Sequence, residues 1–380
     1  TLGPGSGDEA LVKIVGRLES TLRATDVLAR IGGDEFGIMQ HHIRGASDVS
    51  ALTERLLRHI AEPFTMRGRE VRLTASMGIA LFPSDGDTAD DLIKSSDLAM
   101  ARAKQEGRNT FRFFVPSMDV AVQERAGIES GLHHALEAGE FLLHYQPQMD
   151  LRSNAVIGVE ALIRWNRSGE GIVPPGRFLS VAEDLGLIRM IGDWVLRTAT
   201  ERGARWHRRG IPFGRIAVNL SFNQFRQRDL DRTVDHHLRV SGLPPAMLEL
   251  ELTESALAQD AERAIDLLRR LRETGVLLAI DDFGTGYSSL SYLQQFQVDH
   301  LKIDKSFVAG IGRDPSAETI IRTIVGLARS LELRTLAEGV ETDAQAEFLR
   351  GVGCDAAQGY VFSPPLDEHE LIEFLQQRSG

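Results

Sequence analysis

Seven polar stations recur along the chain from residue 160 onward, each beside its own apolar run. Glu160 follows Ala155–Val159. Asn219 sits in Val218-Asn219-Leu220-Ser221, and Glu251 in Leu250-Glu251-Leu252-Thr253-Glu254. Asp281 and Asp282 close Val276–Ile280, and Lys302 sits in Leu301-Lys302-Ile303-Asp304. Glu338 follows Arg334–Ala337, and Gln358 precedes Gly359-Tyr360. Carboxylates with an amide are hard oxygen ligands, suited to Mg²⁺ or Mn²⁺ rather than to a sulfur and nitrogen zinc site. Adjacent aspartates can bridge or flank two ions, and two ions about 3.5–4 Å apart are the usual device for in-line phosphoryl displacement. Lys302 could position a water or neutralise developing charge. Arg164, four residues after Glu160, is a natural phosphate clamp. The residue types therefore point to two-metal hydrolysis of a phosphodiester. Each has a plainer reading alone: a solvated loop acid, a turn aspartate, a snorkelling lysine, a capping glutamate. Seven together are not explained by structure alone.

The elements that must position these residues follow from pattern. From Phe141 to Gly380, short apolar runs alternate with amphipathic stretches. The clearest strands are Ala155–Val159, Ile216–Leu220, Met247–Leu252, Val276–Ile280, His300–Ile303, Arg334–Ala337 and Ala357–Phe362. Intervening helices include Leu187–Arg208, Asp260–Thr274 and Ala317–Leu331. Alternating β and α over this length predicts a parallel sheet closed as a (β/α) barrel. In such a barrel the C-terminal strand ends share one face, so residues distant in sequence meet. The first 114 residues have another texture and predict a layered α/β domain. Helical spacing covers Asp8–Leu22, and strands Val27–Ile31 and Phe36–Met39 flank a hairpin at Gly32-Gly33-Asp34-Glu35. A helix from Asp48 to Ala61, a strand from Val71 to Leu81 and a helix from Ala89 to Glu106 follow. A linker helix is expected over about Asp119–Gly139, with the domain boundaries at residues 1–114, 115–128 (linker) and 129–380.

Composition narrows the function. The 380 residues are 42% hydrophobic and 26% charged, with a net charge of -11. Acidity disfavours a nucleic-acid duplex as partner but leaves room for a small anion held by arginine or metal. The lone Cys354 permits no intrachain disulfide and fits a reducing compartment as a small buried residue. No run is long enough to span a bilayer and no signal peptide is visible, so a cytoplasmic segment without membrane contact is expected. A sensor or anchor upstream of Thr1 would not be seen.

The motifs from about Glu124 onward resemble the EAL family of cyclic di-GMP phosphodiesterases. The resemblance rests on Tyr145-Gln146-Pro147-Gln148, Glu160-Ala161-Leu162-Ile163-Arg164-Trp165, Val218 to Ser221, Glu251 to Glu254, Asp281 to Leu290, Leu301 to Asp304, Ala337 to Glu341 and Gln358 to Tyr360. It implies that Glu160, Asn219, Glu251 and Asp281 hold one Mg²⁺ or Mn²⁺, with Asp281 bridging, and that Asp282 and Glu338 serve the second. Lys302, with Glu338 and Gln358 nearby, would orient the attacking water. Arg164 would grip a phosphate and Gln146 would lie near the nucleotide. Glu254 would brace the loop Phe283–Leu290, which in this family links metal binding to dimerisation; Glu341 would support the site. The implied reaction opens cyclic di-GMP to linear pGpG, in a homodimer. No metal position is substituted, which favours an enzyme over a silent nucleotide receptor.

Gly32-Gly33-Asp34-Glu35-Phe36 matches the signature of the GGDEF family of diguanylate cyclases, and Arg23-Ala24-Thr25-Asp26 stands upstream as that family's inhibitory RxxD motif does. Arg23 suits guanine or phosphate and Asp26 the guanine edge. Lys104 and Arg108 resemble the family's phosphate-binding bases and also suit a helix C-terminus. The resemblance implies GTP or cyclic di-GMP as a ligand of this domain. Gly3 to Asp8 resembles the tail of the segment that carries the family's first strand and metal-binding aspartate, with Pro4 where histidine is usual. The expectation is a regulatory domain without cyclase activity from these residues alone. A bifunctional cyclase and phosphodiesterase in a longer protein is the alternative.

Overall fold

The structure is a computed structural model that describes residues 6–43, 45–66, 68–227, 229–285 and 290–378. It divides into two compact units, Thr1–Gly127 and Ile128–Gly380. The division falls inside one helix, Ser117–Ala138.

The first unit pairs β1 (Val27–Gly32) with β2 (Glu35–Met39), β3 (Phe64–Met66) with β4 (Arg69–Val71), and β5 (Met77–Ile79) with β6 (Phe111–Phe113). Leu52, Leu56 and Ile60 of helix Ala46–Ala61 pack on Ile14 and Leu18 of helix Ser6–Thr21 to make its small core. The expected strand from Val71 to Leu81 is broken: β4 ends at Val71 and β5 begins at Met77. The apolar spacing there serves two short strands. The hairpin turns at Gly33, whose φ of +51 falls where glycine is favoured.

The second unit is a closed barrel. Its strands are β7 (Phe141–Asp150), β8 (Val156–Arg167), β10 (Arg215–Leu220), β11 (Leu248–Thr253), β12 (Leu277–Phe283), β13 (His300–Ile303), β14 (Arg334–Ala337) and β15 (Ala356–Ala357). β9 (Gly171–Val173) extends β8 outside the ring, and pairing of β10 with β8 closes it. Parallel pairing runs from β8 through β15, but β7 is antiparallel to both of its neighbours. The all-parallel expectation therefore fails at one strand. Helices such as Ile188–Arg208, Ala261–Glu273 and Pro315–Ser330 bury one face each against the barrel.

Two further expectations are corrected. Ala357–Phe362 is not a strand: β15 is two residues long and Gly359–Phe362 turns back. Glu160 is not at a strand end, because β8 continues to Arg167 as a hairpin arm against β7. The pairing of β8 with β10 does stop at Ala161. Glu160 thus lies where the barrel ends and the hairpin goes on. Among the described residues, no helix is long and apolar enough to cross a membrane.

Candidate active site

Lys302 is the centre of the barrel mouth. It is 1% exposed, and β13 aims it inward among four acids. Its Nζ lies 2.6 Å from Glu251 Oε2, 2.6 Å from Glu338 Oε1, 3.3 Å from Asp281 Oδ1 and 3.9 Å from Glu160 Oε1. These acids arrive on four different strands or strand ends, as the alternation of apolar and polar residues required. Two amides complete the ring. Asn219 Nδ2 donates to Glu160 Oε1 at 2.6 Å. Gln358 Nε2 donates to Glu160 Oε2 at 2.5 Å and to Glu338 Oε1 at 3.2 Å.

Asp281 and Asp282 are neighbours, and in a regular strand they would face opposite sides. Here β12 and β13 lose register between Ile280 and Phe283, and Asp282 adopts a φ of +53. Such irregularities re-aim side chains. As a result Asp281, Asp282 and Glu338 bring carboxylate oxygens within 4.8 Å of one another. A left-handed non-glycine residue is held at a cost of about 1–2 kcal/mol, which the surrounding structure must supply. Asp282 also shares a hydrogen bond with Asp304, which caps the helix Lys305–Ala309. Sequence reasoning gave Asp304 no role. Its signal was position, one residue past the end of β13.

The electrostatics suit a cation site. Burial, with the charges of Asp281 and Asp304, pushes the Asp282 carboxyl up to about 6. Burial, with Asp281 and Glu160 and against the pull of Lys302, pushes Glu338 up to about 8. Burial also holds Glu251 well above the usual carboxylate range despite Lys302. For Lys302, burial favours the neutral amine, but Glu160, Glu251, Glu338 and Asp281 outweigh it and hold the ammonium charged. Lys302 is therefore a fixed cation and not a proton acceptor at neutral pH. Glu251 Oε1 and Gln358 Oε1 are buried acceptors with no hydrogen-bond donor. Orphaned acceptor oxygens in a cluster of acids are what a hard divalent cation or its water would satisfy. The donor set fits Mg²⁺ or Mn²⁺ chemistry.

The remaining expected residues lie as follows. Gln146 faces Glu160 across the antiparallel pair and donates from Nε2 to the Ser363 carbonyl at 3.1 Å. Arg164 is half-buried on the hairpin arm, bonded to the Ile163 carbonyl at 2.9 Å. Burial lowers its pKa, and its electrostatic neighbours include Tyr360 and Glu160. Glu254 opens a short helix at the end of β11, and its Oε2 accepts from Gly284 N at 2.7 Å. That anchors the start of the loop; Gly286–Ser289 lie outside the described residues. Glu341 N donates to Gln345 Oε1 at 2.8 Å, part of a helix start. In the first unit, Asp26 Oδ2 accepts from the backbone N of the exposed Arg23 at 2.9 Å, so the RxxD residues form a turn rather than a side-chain pair. Asp34 and Glu35 sit at the hairpin tip, stiffened by Arg30 donating to the Gly33 carbonyl at 2.7 Å. Gly3 to Gly5 lie outside the described residues.

The second unit is thus a closed α/β barrel with carboxylates and amides ringed around a buried lysine at its mouth. The chain belongs to the EAL domain family: a family model for the EAL domain matches residues 129–365, and one for the diguanylate cyclase GGDEF domain matches residues 1–110. Among curated relatives it is 42% identical, over 96% of this chain and 53% of the relative, to the bifunctional diguanylate cyclase/cyclic di-GMP phosphodiesterase MucR of Pseudomonas aeruginosa. It is 40% identical, over 99% of this chain and 48% of the relative, to the cyclic di-GMP phosphodiesterase NbdA of the same organism. It is 36% identical to the cyclic di-GMP phosphodiesterase PdeR of Escherichia coli, over 95% and 54% of the two chains. The chain thus spans about half the length of these relatives. Among solved structures, the PaMucR phosphodiesterase in complex with c-di-GMP superposes with a TM-score of 0.63 at 42% identity, covering 64% of this chain and 99% of that one. The EAL domain of Mycobacterium smegmatis DcpA gives 0.56 at 37% identity, covering 63% and 98%.

Proposed function

We propose that the second unit hydrolyses cyclic di-GMP to linear pGpG, with Mg²⁺ or Mn²⁺ as its metal. The reading rests on one arrangement: Glu160, Glu251, Asp281 and Glu338 converge on Lys302 while Glu251 Oε1 and Gln358 Oε1 lack donors. Glu160, Asn219, Glu251 and Asp281 would hold one ion and Asp282 and Glu338 the other, with Asp281 shared. Bound divalent cations would make water more acidic and offset charge developing on the scissile phosphate.

The chain's own residues do the rest. Lys302 remains an ammonium and so supplies a fixed positive charge and a hydrogen-bond donor to the attacking water. Gln358 spends both described contacts of its Nε2 on Glu160 and Glu338, leaving Oε1 to accept from that water. Glu338, 2.6 Å from Lys302 Nζ and 3.2 Å from Gln358 Nε2, stands beside both and helps to orient that water. Arg164 clamps a phosphate, and Gln146 orients the nucleotide beside Glu160. Glu254 ties the loop after β12 to the metal acids through Gly284. The first unit is regulatory, with GTP or cyclic di-GMP as its ligand, and the protein works as a homodimer. The Gly32 to Phe36 hairpin favours a second reading, cyclase activity in a longer protein.

The test is product chromatography after incubation with cyclic di-GMP and Mg²⁺ or Mn²⁺, and separately with GTP. Appearance of pGpG is expected. Tight binding of cyclic di-GMP without pGpG under either metal would make the chain a receptor, and cyclic di-GMP formed from GTP would favour the second reading.

A further inference from the structure

The opposite end of the barrel carries a second concentration of charge, of the other sign. A cleft of about 170 Å³ is lined by Arg152, Arg329 and Arg334, with Glu332, Gly353 and Asp355 beside them. Arg152 lies in the turn between β7 and β8. Arg329 lies in the last turn of helix Pro315–Ser330, and Arg334 is the first residue of β14. Glu338 follows the other end of β14. At about 3.3 Å per residue the cleft is roughly 13 Å along the strand from the metal acids, so it is a separate place.

Three features make it a site rather than scattered surface charge. First, among the described residues none of the three guanidinium groups has a carboxylate within ion-pair distance, in a protein of net charge -11 whose other surface arginines commonly do. Secondly, three guanidinium groups face two lining carboxylates, Glu332 and Asp355, and Asp355 is tied to Thr335 rather than to an arginine. Asp355 Oδ2 accepts from Thr335 N at 2.9 Å and from Thr335 Oγ1 at 3.0 Å. Asp299 accepts from Leu278 N at 2.9 Å, and Asp150 accepts from the Arg152 and Ser153 amides at 3.0 and 2.7 Å. Glu332 alone of the lining acids has no such bonds. Thirdly, tight turns bring the arginines together. Gly353, the left-handed C-cap of helix Asp343–Val352 with a φ of +83, stands beside the arginine: Arg329 Nη2 lies 2.4 Å from where a Cβ would be. Glu332 has a φ of +59, a left-handed conformation rare for a residue with a side chain, and it turns the chain from Arg329 to Arg334. Arg350 Nε donates to the Leu151 carbonyl at 2.7 Å and so fixes the turn that carries Arg152.

We propose that this cleft is an anion site for a phosphoryl group, borne by inorganic phosphate or by a small phosphate monoester. Guanidinium forks match phosphate oxygens in pairs. A cleft of this volume has room for a phosphoryl group. The proposal is independent of the metal site and of the reaction assigned to it.

Isothermal titration of the whole chain with inorganic phosphate, in EDTA so that no divalent ion bridges phosphate to the barrel mouth, tests it. GMP and guanosine in parallel separate the two sources of the phosphoryl group. Saturable phosphate or GMP binding with no response to guanosine is expected. Arg329→Gln should weaken it at least tenfold, the double variant Arg152→Gln/Arg329→Gln should abolish it, and Glu160→Ala should leave it unchanged. All three positions are exposed or lie outside this cleft's packing, and an unchanged far-ultraviolet circular dichroism spectrum checks the fold. Binding of equal strength in the double variant, or no saturable binding by the parent protein, would overturn the proposal.

Discussion

Removing the Lys302 charge is the sharpest perturbation the site offers. Lys302→Met keeps most of the buried volume, and a volume-conserving swap by itself costs under about 1.5 kcal/mol. What it deletes is a cation 2.6 Å from both Glu251 and Glu338 and within 4.0 Å of Asp281 and Glu160. Breaking a buried ion pair by removing one partner costs about 3–5 kcal/mol, because the other charge is left uncompensated. For a unit of this size that is a fall of roughly 6–20 °C in Tm. The loss must depend on pH. Glu338, already pushed up to about 8, and Glu251, pushed in the same direction, take up protons more readily once the ammonium has gone. At pH 5 these two are neutral and need no counter-charge, so the loss is smaller; at pH 8.5 it is larger. Calorimetric melting of the metal-free protein at the two pH values measures this. Added Mn²⁺ should recover part of the loss, since it replaces the missing charge, while turnover should remain about 10²–10³-fold down. Equal Tm values for parent and variant at pH 8.5 would refute the ion-pair account of the site.

Other outcomes follow from the same geometry. Glu338 has a folded pKa of about 8 against an ordinary 4.5, and Asp282 about 6 against 3.8. Both are raised, so their contribution to the metal-free fold is intact below about pH 4 and is lost as pH climbs through 6 and 8; a ligand-free melt should show Tm falling over that window, and Mn²⁺ binding at pH 7 should release protons, measurable by titration in buffers of different ionisation enthalpy. Asp282→Asn removes repulsion from Asp281 and Asp304 and better tolerates the positive φ, so it should raise the metal-free Tm by a few degrees, about 1 kcal/mol, while lowering turnover more than tenfold. Glu254→Ala leaves Gly284 N without its acceptor and should cost about 1–3 kcal/mol, seen as weaker Mn²⁺ affinity in a titration of the folded variant. Gly359→Ala would put a Cβ 2.1 Å from the Val340 carbonyl oxygen and should displace Gln358, which poor expression or a lowered Tm would report.

The site was more legible in the sequence than the strands that build it. Period-two patterning marks which residues face inward, so Asn219, Glu251 and Lys302 could be placed beside their apolar neighbours without knowing the register. Glu160 was placed at a strand end because an apolar run stops there, yet β8 runs on as a hairpin arm whose pairing with β7 is antiparallel. No local signal in Phe141–Asp150 gives strand direction, since direction is fixed by which neighbours remain to be paired. Val71–Leu81 carries strand-like residues, but only tertiary pairing decides that β5 begins at Met77 beside Phe111. The shared facing of Asp281 and Asp282 depends on a register slip and one unusual φ, neither of which side-chain identity announces. Asp304 was missed for the same reason: its hydrogen bond to Asp282 exists only once that slip is made.

The central claim is that the acids around Lys302 hold divalent cations that hydrolyse cyclic di-GMP. Single-turnover formation of pGpG from cyclic di-GMP, followed by chromatography in EDTA and then across a Mn²⁺ titration, tests it for the parent and for Glu160→Ala. The account predicts no product in EDTA, saturable recovery with Mn²⁺ in the parent, and product at least a hundredfold slower in the variant. Undiminished hydrolysis in EDTA, or by Glu160→Ala, would contradict it.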